Sequence, residues 1–156
     1  MHKFGRSLKI LFLAACVCAQ GATALAAQDS ETFKQIHEKE WAFRMQEFPL
    51  FASSAGMQKY AADVGHVSEA DQARRYRFWK EIRSDLDRVS CERLERGECI
   101  DYRIFVKQMD NFLADYETGA YLIPFTSDWG FYLELGRLPE DTTFETTRDY
   151  RNYLAR

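Results

Sequence analysis

A partial zinc-binding motif is the feature of this sequence that comes closest to chemistry. In a His-Glu-x-x-His helix, two imidazoles one turn apart hold zinc and the glutamate acts as general base. Here His37 and Glu38 are followed by Trp41 where the second histidine should stand. The other histidine beyond residue 26 is His66, too distant to complete the motif. Because a zinc site needs about three protein ligands, we predict no metal site and interpret His37 as a surface or packing residue.

Other catalytic signatures are missing from the sequence. It contains no glycine-rich phosphate loop, no dinucleotide-binding fingerprint and no nucleophile elbow. Its acidic clusters, such as Glu92, Glu95 and Glu98, are typical of solvated helix faces. We therefore predict no catalytic residue in this chain. Trp129, beside a glycine in an irregular segment, is the better aromatic candidate for lining a cleft, whereas Trp79 is predicted to lie in the core.

The N-terminal residues 1–26 indicate a secretory signal peptide. Three basic residues precede the apolar run Ile10–Cys18, and Ala24-Leu25-Ala26 has the small-x-small pattern that a signal peptidase recognises. The apolar run is shorter than the roughly 20 residues needed to span a bilayer. We therefore expect cleavage after Ala26. The mature chain, residues 27–156, should be periplasmic or secreted and should contain no transmembrane segment.

A lipid anchor is the alternative for the N-terminus. The segment Leu13–Cys16 has the form of a lipoprotein box, in which Cys16 would be lipidated and would become the first residue. However, the apolar stretch before Cys16 is short, and Val17-Cys18 follows it instead of a polar tether. Ordinary cleavage is therefore favoured.

The mature chain is acidic. The formal net charge is −3, and removal of a leader with three basic residues and no acid makes it −6. Nucleic-acid-binding domains instead show a basic patch or stripe. We therefore predict no nucleic-acid partner.

Two cysteines, Cys91 and Cys99, remain once the leader is removed. In an oxidising compartment an isolated pair is typical of a disulfide. It would close the polar connection between two helices and stabilise the fold by roughly 2–3 kcal/mol. The alternatives are two free thiols and, less favoured, metal ligation, for which two ligands are too few.

Hydrophobic periodicity predicts an all-α fold, with its clearest elements in the first half. A first helix is expected over Ser30–Phe48, beginning with a capping serine and ended by Pro49. Ser68 starts a capping-box pattern, after which apolar positions step by three or four residues over Ala70–Val89. This second helix is the most secure element.

The rest of the chain alternates between helices and irregular segments. Residues 50–67 should form a loop with one short helical turn, and a third helix is expected over Cys99–Tyr116. Residues 121–139 should hold a short helix near Gly130–Leu135, or a strand on either side. A final helix should begin at Thr142 or Thr143 and run to Arg156 without an ending signal, as if the chain were cut off. The expected architecture is an antiparallel helical array.

Short segments along the chain together resemble the N-terminal part of the bacterial domain-of-unknown-function family 885 (DUF885). They are Glu40-Trp41, Phe48–Gly56, the Ser68 helix, Asp101–Phe105, Tyr121–Pro124, Leu138-Pro139 and Thr147–Arg156. The resemblance spans essentially the whole mature chain, and its motifs are helix and loop signatures. It implies that residues 27–156 are a truncated DUF885-like domain, the N-terminal part of a larger helical fold.

The resemblance also implies a function. Family members are longer exported proteins, and their later half resembles zinc metallopeptidases of the His-Glu-x-x-His type. This chain would then be the N-terminal scaffold of a zinc-dependent peptidase or hydrolase, with neither the catalytic segment nor a cofactor of its own. Its partners would be the missing C-terminal part and, in the full protein, a peptide-like substrate.

The irregular segment is where a substrate cleft is expected under this interpretation. Tyr121, Trp129 and Phe131 would line one wall of that cleft, by position and aromatic content. The alternative is a stand-alone periplasmic helical module that binds a partner or ligand and has no enzymatic activity.

Overall fold

The computed structural model describes residues 4–123, 125, 126, 128 and 130–156, and the side chains of these residues from 24 onward except 131 and 134. The fold is all-α, as predicted. Its helices are α1 (Phe4–Glu47), α2 (Pro49–Ser54), α3 (Glu69–Leu86), α4 (Arg96–Glu117), α5 (Phe131–Arg137) and α6 (Thr147–Ala155). Among these helices, none is long and apolar enough to cross a membrane.

The core lies where α1, α3 and α4 pack together. Its buried members are Phe33, Ile36, Trp79, Ile82, Leu86, Val89, Leu94, Phe105 and Met109. The predicted stripe of the second helix is confirmed, because Trp79, Ile82 and Leu86 of α3 are all buried. The helices α3 and α4 run antiparallel, since Tyr76 contacts Glu117 at one end and Tyr102 donates to the carbonyl of Leu86 nearer the other.

The first helix begins earlier than its capping serine suggested. Ser30 lies inside α1, and its hydroxyl donates to a carboxylate oxygen of Glu98 at 2.5 Å. The preceding residues 22–27 are mostly alanine and leucine, the strongest helix formers, so the helix continues through them. The prediction of a helix start at Ser30 was therefore wrong for this chain.

A charged residue, Glu40, is buried in α1, whereas the neighbouring Trp41 is exposed. Glu40 is 1% exposed and accepts hydrogen bonds from Arg44 Nε at 2.9 Å and Trp79 Nε1 at 3.2 Å. Trp41 is 39% exposed and packs edge-on against Phe51. Burial of the carboxylate is tolerated because two donors, one of them charged, satisfy it.

Two predicted boundaries are explained by local chemistry. Gly119 follows α4 with a φ of 72°, a left-handed conformation that favours glycine at a helix end, close to the end predicted at Tyr116. The last helix starts at Thr147, several residues later than predicted. Thr142 instead closes a turn by donating to the carbonyl of Leu138, and Thr146 forms a capping box with Asp149.

The segment after α1 and the one before α6 follow the prediction more closely. Pro49 occupies the first turn of α2, where a proline nitrogen has no hydrogen bond to lose. The predicted helical turn in residues 50–67 corresponds to α2 and a 3-10 turn at Gln58–Tyr60. The predicted short helix near Gly130–Leu135 corresponds to α5.

Candidate functional site

A cleft of about 700 Å³ lies between α2 and the region of α5. Its apolar lining is Leu50, Phe51, Leu133 and Leu138, and its polar lining is Ser53, Ser54, Asp128, Arg137, Asp141 and Arg156. Phe51 is 45% exposed and Leu133 is 42% exposed. The cleft therefore offers apolar surface to a ligand together with charges of both signs.

The wall formed by α5 is positioned by a close approach at its first turn. Gly130 precedes α5 in extended conformation, and a Cβ there would lie 2.6 Å from the ring of Tyr132. Gly130 also forms an isolated bridge with Phe125, whose ring stacks on Tyr132. A side chain at position 130 would therefore require the ring of Tyr132 to move.

The opposite wall is joined to the C-terminal helix by Arg156. Its Nη2 donates to the hydroxyl oxygen of Ser53 at 2.6 Å. Its Nε is buried and has no acceptor in the part of the chain that the structure describes. Burial lowers the pKa of Arg156 from its ordinary value. This guanidinium therefore retains hydrogen-bonding capacity where it borders the cleft.

Of the three residues that the sequence predicted to line a cleft, Tyr121, Trp129 and Phe131, the structure describes the side chain of Tyr121 alone. Tyr121 is half-buried in a stack with Tyr116, which in turn stacks on Tyr76. It is not part of the α2–α5 cleft. Trp129 lies outside the described residues. The backbone of Phe131 begins α5, and its side chain lies outside the description.

The cleft residues that the sequence did not single out are Leu50 and Phe51 on one wall and Leu133 on the other. A signal for the first pair was present, because a proline followed by two large apolar residues and then small ones starts the segment 49–55. Nothing comparable marks Leu133. Its role depends on the fold, which brings α5 beside α2.

Comparison with known proteins gives a family and no nearer relative. Residues 49–156 match the family described as bacterial protein of unknown function (DUF885). This chain belongs to the DUF885 family. The match begins at the first residue of α2 and includes both walls of the cleft. No curated protein and no solved structure matches the chain significantly.

The cysteine pair of this DUF885 chain is brought together. Cys91 and Cys99 are joined in the connection between α3 and α4, with their Cα atoms 4.9 Å apart. This separation is within the range of protein disulfides. The arrangement is compatible with the disulfide that the sequence predicted.

The predicted processing sites lie in α1. The side chain of Leu25 is 51% exposed, and that of Ala26 is half-buried. The backbone of Cys16 is helical, and its side chain lies outside the description. Cleavage at Ala26 and lipidation at Cys16 both stay predictions.

The donor groups of this DUF885 chain do not fit zinc in the described residues. No three His, Cys, Asp or Glu side chains of residues 24–123 and the described positions beyond are grouped to hold a metal ion. The exposed His37 ring packs against Phe105, with ring centres 5.1 Å apart. His66 lies in the loop before α3, where its carbonyl accepts from Arg75.

Proposed function

We propose that this DUF885 chain is the N-terminal scaffold of an exported, zinc-dependent peptidase or hydrolase and supplies one wall of its substrate cleft. The observation that supports the proposal is the cleft between α2 and α5. Half-exposed Phe51 and Leu133 suit the apolar side chains of a peptide. The guanidinium of Arg156 and the carboxylates of Asp128 and Asp141 suit its polar backbone and charged groups.

The described residues of the cleft are suited to binding. They include no imidazole that could act as base for a serine, and no thiol nucleophile. Ser54 donates to the carbonyl of Phe51, and Ser53 accepts from Arg156. In the proposal, the zinc ligands and the general base belong to another segment of the protein. Zinc there would activate water for hydrolysis.

Export is supported by where the packing of α1 begins. Asp29 is 7% exposed and is the first buried residue of the described side chains, whereas Leu25 is 51% exposed. None of the side chains of residues 24–26 is buried, so cleavage after Ala26 would remove no buried side chain at these positions. The new helix start would carry Asp29 and Glu31 in its first turns, and acids there interact favourably with the helix dipole.

The proposal that this chain is the N-terminal part of a longer hydrolase is tested by reading the coding DNA beyond the codon for Arg156. An open frame that continues to a His-Glu-x-x-His motif would support the proposal. A stop codon directly after Arg156 would overturn it. The stand-alone helical binding module would then be the function to pursue, beginning with ligand screens on the purified chain.

The cleft is tested in the continued protein by Phe51→Asp. A charge in the apolar wall should raise KM for peptide substrates by about tenfold and leave the zinc content unchanged. Val67→Asp is the matched control, because Val67 is 84% exposed and does not line the cleft. An unchanged KM in Phe51→Asp would show that substrate does not contact this wall. It would refute the cleft assignment but not the proposal that the chain is part of a longer hydrolase.

A further inference from the structure

We propose that a hollow between α1 and α4 binds a dipeptide with apolar side chains and with both of its termini charged. The hollow has a volume of about 460 Å³. Small-molecule sites in proteins have volumes of about 300–1,000 Å³. The hollow shares no lining residue with the α2–α5 cleft, so the inference does not depend on the function proposed for that cleft.

Hydrogen bonds between α1 and α4 hold the hollow at both ends. At one end the hydroxyl of Ser30 donates to a carboxylate oxygen of Glu98 at 2.5 Å. Toward the other end Nη2 of Arg44 donates to the side-chain oxygen of Gln108 at 3.1 Å. Ser30, Glu98 and Gln108 are themselves lining residues. The two helices are therefore joined on both sides of the gap, which makes the hollow a built site.

The floor of the hollow is aromatic. Phe33 of α1 and Phe105 of α4 are buried lining residues, with ring centres 6.1 Å apart. The ring of His37 packs against both, at 6.5 Å from Phe33 and 5.1 Å from Phe105. Ile104, which is 63% exposed, adds an aliphatic side chain on the α4 wall. This lining suits the apolar side chains of a small ligand.

The charged groups of the hollow are sorted by helix. Lys34 lies on the α1 wall, whereas Glu98 and Asp101 lie on the α4 wall. Glu98 is already occupied, because it accepts from Ser30 and from a backbone N–H. In the part of the chain that the structure describes, Asp101 forms no ion pair, and Lys34 forms one loose pair, with Glu38 at 3.9 Å. The hollow therefore presents an unpaired carboxylate and a loosely paired ammonium on opposite walls.

A dipeptide with two charged termini satisfies these groups together. Its ammonium would bind Asp101, its carboxylate would bind Lys34, and its side chains would lie against the aromatic floor. A purely anionic ligand would face Glu98 and Asp101, and a purely cationic one would face Lys34. The size also fits, because an extended dipeptide is at most about 7 Å long and the α1 wall from Ser30 to His37 is about 10 Å long. The two walls therefore select a ligand that carries both charges.

The first test compares three forms of one ligand by NMR titration of the full chain. Leucyl-leucine carries both terminal charges, its N-acetylated form lacks the ammonium, and its C-terminal amide lacks the carboxylate. Leucyl-leucine should bind with a Kd of about 1 mM or below. Each capped form should bind about fivefold more weakly, which corresponds to the loss of one partly exposed ion pair. Equal binding of the three forms, or no saturable binding of leucyl-leucine, would overturn the proposal.

The second test assigns each charge of the ligand to a side chain. In Asp101→Asn, leucyl-leucine and its acetylated form should bind equally, because the partner of the ammonium is gone. In Lys34→Gln, leucyl-leucine and its amide should bind equally. Asp115→Asn and Lys80→Gln are the matched controls and should keep both preferences, since each removes the same charge from a residue that does not line the hollow. All four side chains are exposed, and circular dichroism would establish that each variant is folded.

The position of the ligand follows from the same titrations. The backbone amide signals of Phe33, His37 and Phe105 should shift as leucyl-leucine is added, because these residues line the hollow. Shifts confined to the α2–α5 cleft would refute the inference, because leucyl-leucine would then be a ligand of that cleft. Preferences that persist in Asp101→Asn and in Lys34→Gln would refute it as well, because other side chains would then bind the terminal charges.

Discussion

Asp29 accepts a hydrogen bond from Nε of Arg93 at 2.6 Å, although the two residues are 64 positions apart. The same carboxylate accepts from the backbone N–H of Ser90 at 3.1 Å. One residue later, Ser30 donates to Glu98. The connection between α3 and α4, which the Cys91–Cys99 pair closes, thus holds the first packed turn of α1. Order in α1 around Asp29 is therefore coupled to order in this connection.

Asp29→Asn should lower the free energy of unfolding at neutral pH by about 1 kcal/mol, because the ion pair with Arg93 is partly exposed. The pKa of Asp29 lies below its ordinary value of 3.8, since Arg93 and the N–H of Ser90 hydrogen-bond the charged form. The stabilisation is therefore present above the pKa of the unfolded state and is lost as pH falls through the lower pKa of the folded state. Urea unfolding at neutral and acidic pH should show a smaller acid effect in Asp29→Asn. Identical acid effects in both proteins would contradict this assignment.

Replacing both cysteines, Cys91→Ser with Cys99→Ser, should lower the free energy of unfolding by about 2.5 kcal/mol, the loop-closure value for so short a loop. Hydrogen exchange should also become faster at residues 29–33, because the loosened connection no longer fixes Asp29 and Ser30. The central part of α3 should keep its protection. If exchange at residues 29–33 is unchanged, the connection holds α1 without help from the disulfide.

The core was predictable where one helix carries its own pattern. The stripe of α3 repeats by three or four residues, and burial of Trp79, Ile82 and Leu86 follows directly from it. The end of α4 was predictable because Gly119 adopts a conformation that few other residues tolerate. The start of α4 was missed by three residues, since a glutamate, Glu95, occupies its cap position instead of a residue that usually caps.

Features that depend on partners distant in sequence could not be predicted. The burial of Glu40 is tolerated in part because Trp79, 39 positions away, donates to its carboxylate, and no local pattern contains that information. The same reason applies to the candidate cleft. Its position depends on α5 lying beside α2, whereas aromatic content drew attention to Tyr121, which stacks elsewhere on Tyr116.

Ser68→Ala should lower the free energy of unfolding by about 1 kcal/mol, because the hydroxyl of Ser68 caps α3 by accepting from the N–H of Asp71. It should also change a titration. Hydrogen bonds from Ser68 and then from Arg74 lower the pKa of Asp71 from 3.8 to about 2. Without the hydroxyl, that pKa should rise toward 3.8. Carboxyl-carbon NMR measures it directly, and an unmoved pKa would mean that Arg74 and the backbone N–H of residue 68 are sufficient to hold the charge.

Arg75→Ala, in α3, should lower the free energy of unfolding by about 3 kcal/mol, because it removes one partner of a buried ion pair. Arg75 is 4% exposed, and it donates to the carboxylate and carbonyl of Glu47 and to the carbonyl of His66. It thereby fixes the end of α1 to the loop. Burial alone would raise the pKa of Glu47, but hydrogen bonds from Arg74 and Arg75 hold it below 4.5. That pKa should therefore rise in the variant.

Arg77→Ala provides the control for this prediction, because Arg77 is an exposed arginine on the same helix. Its effect on the free energy of unfolding should be within about 0.5 kcal/mol. Chemical denaturation of the two variants under the same conditions makes the comparison. If Arg75→Ala is no more destabilising than Arg77→Ala, Arg74 is sufficient to compensate Glu47, and the carbonyl of His66 must be satisfied by water. The loop before α3 would then be held by its apolar contacts.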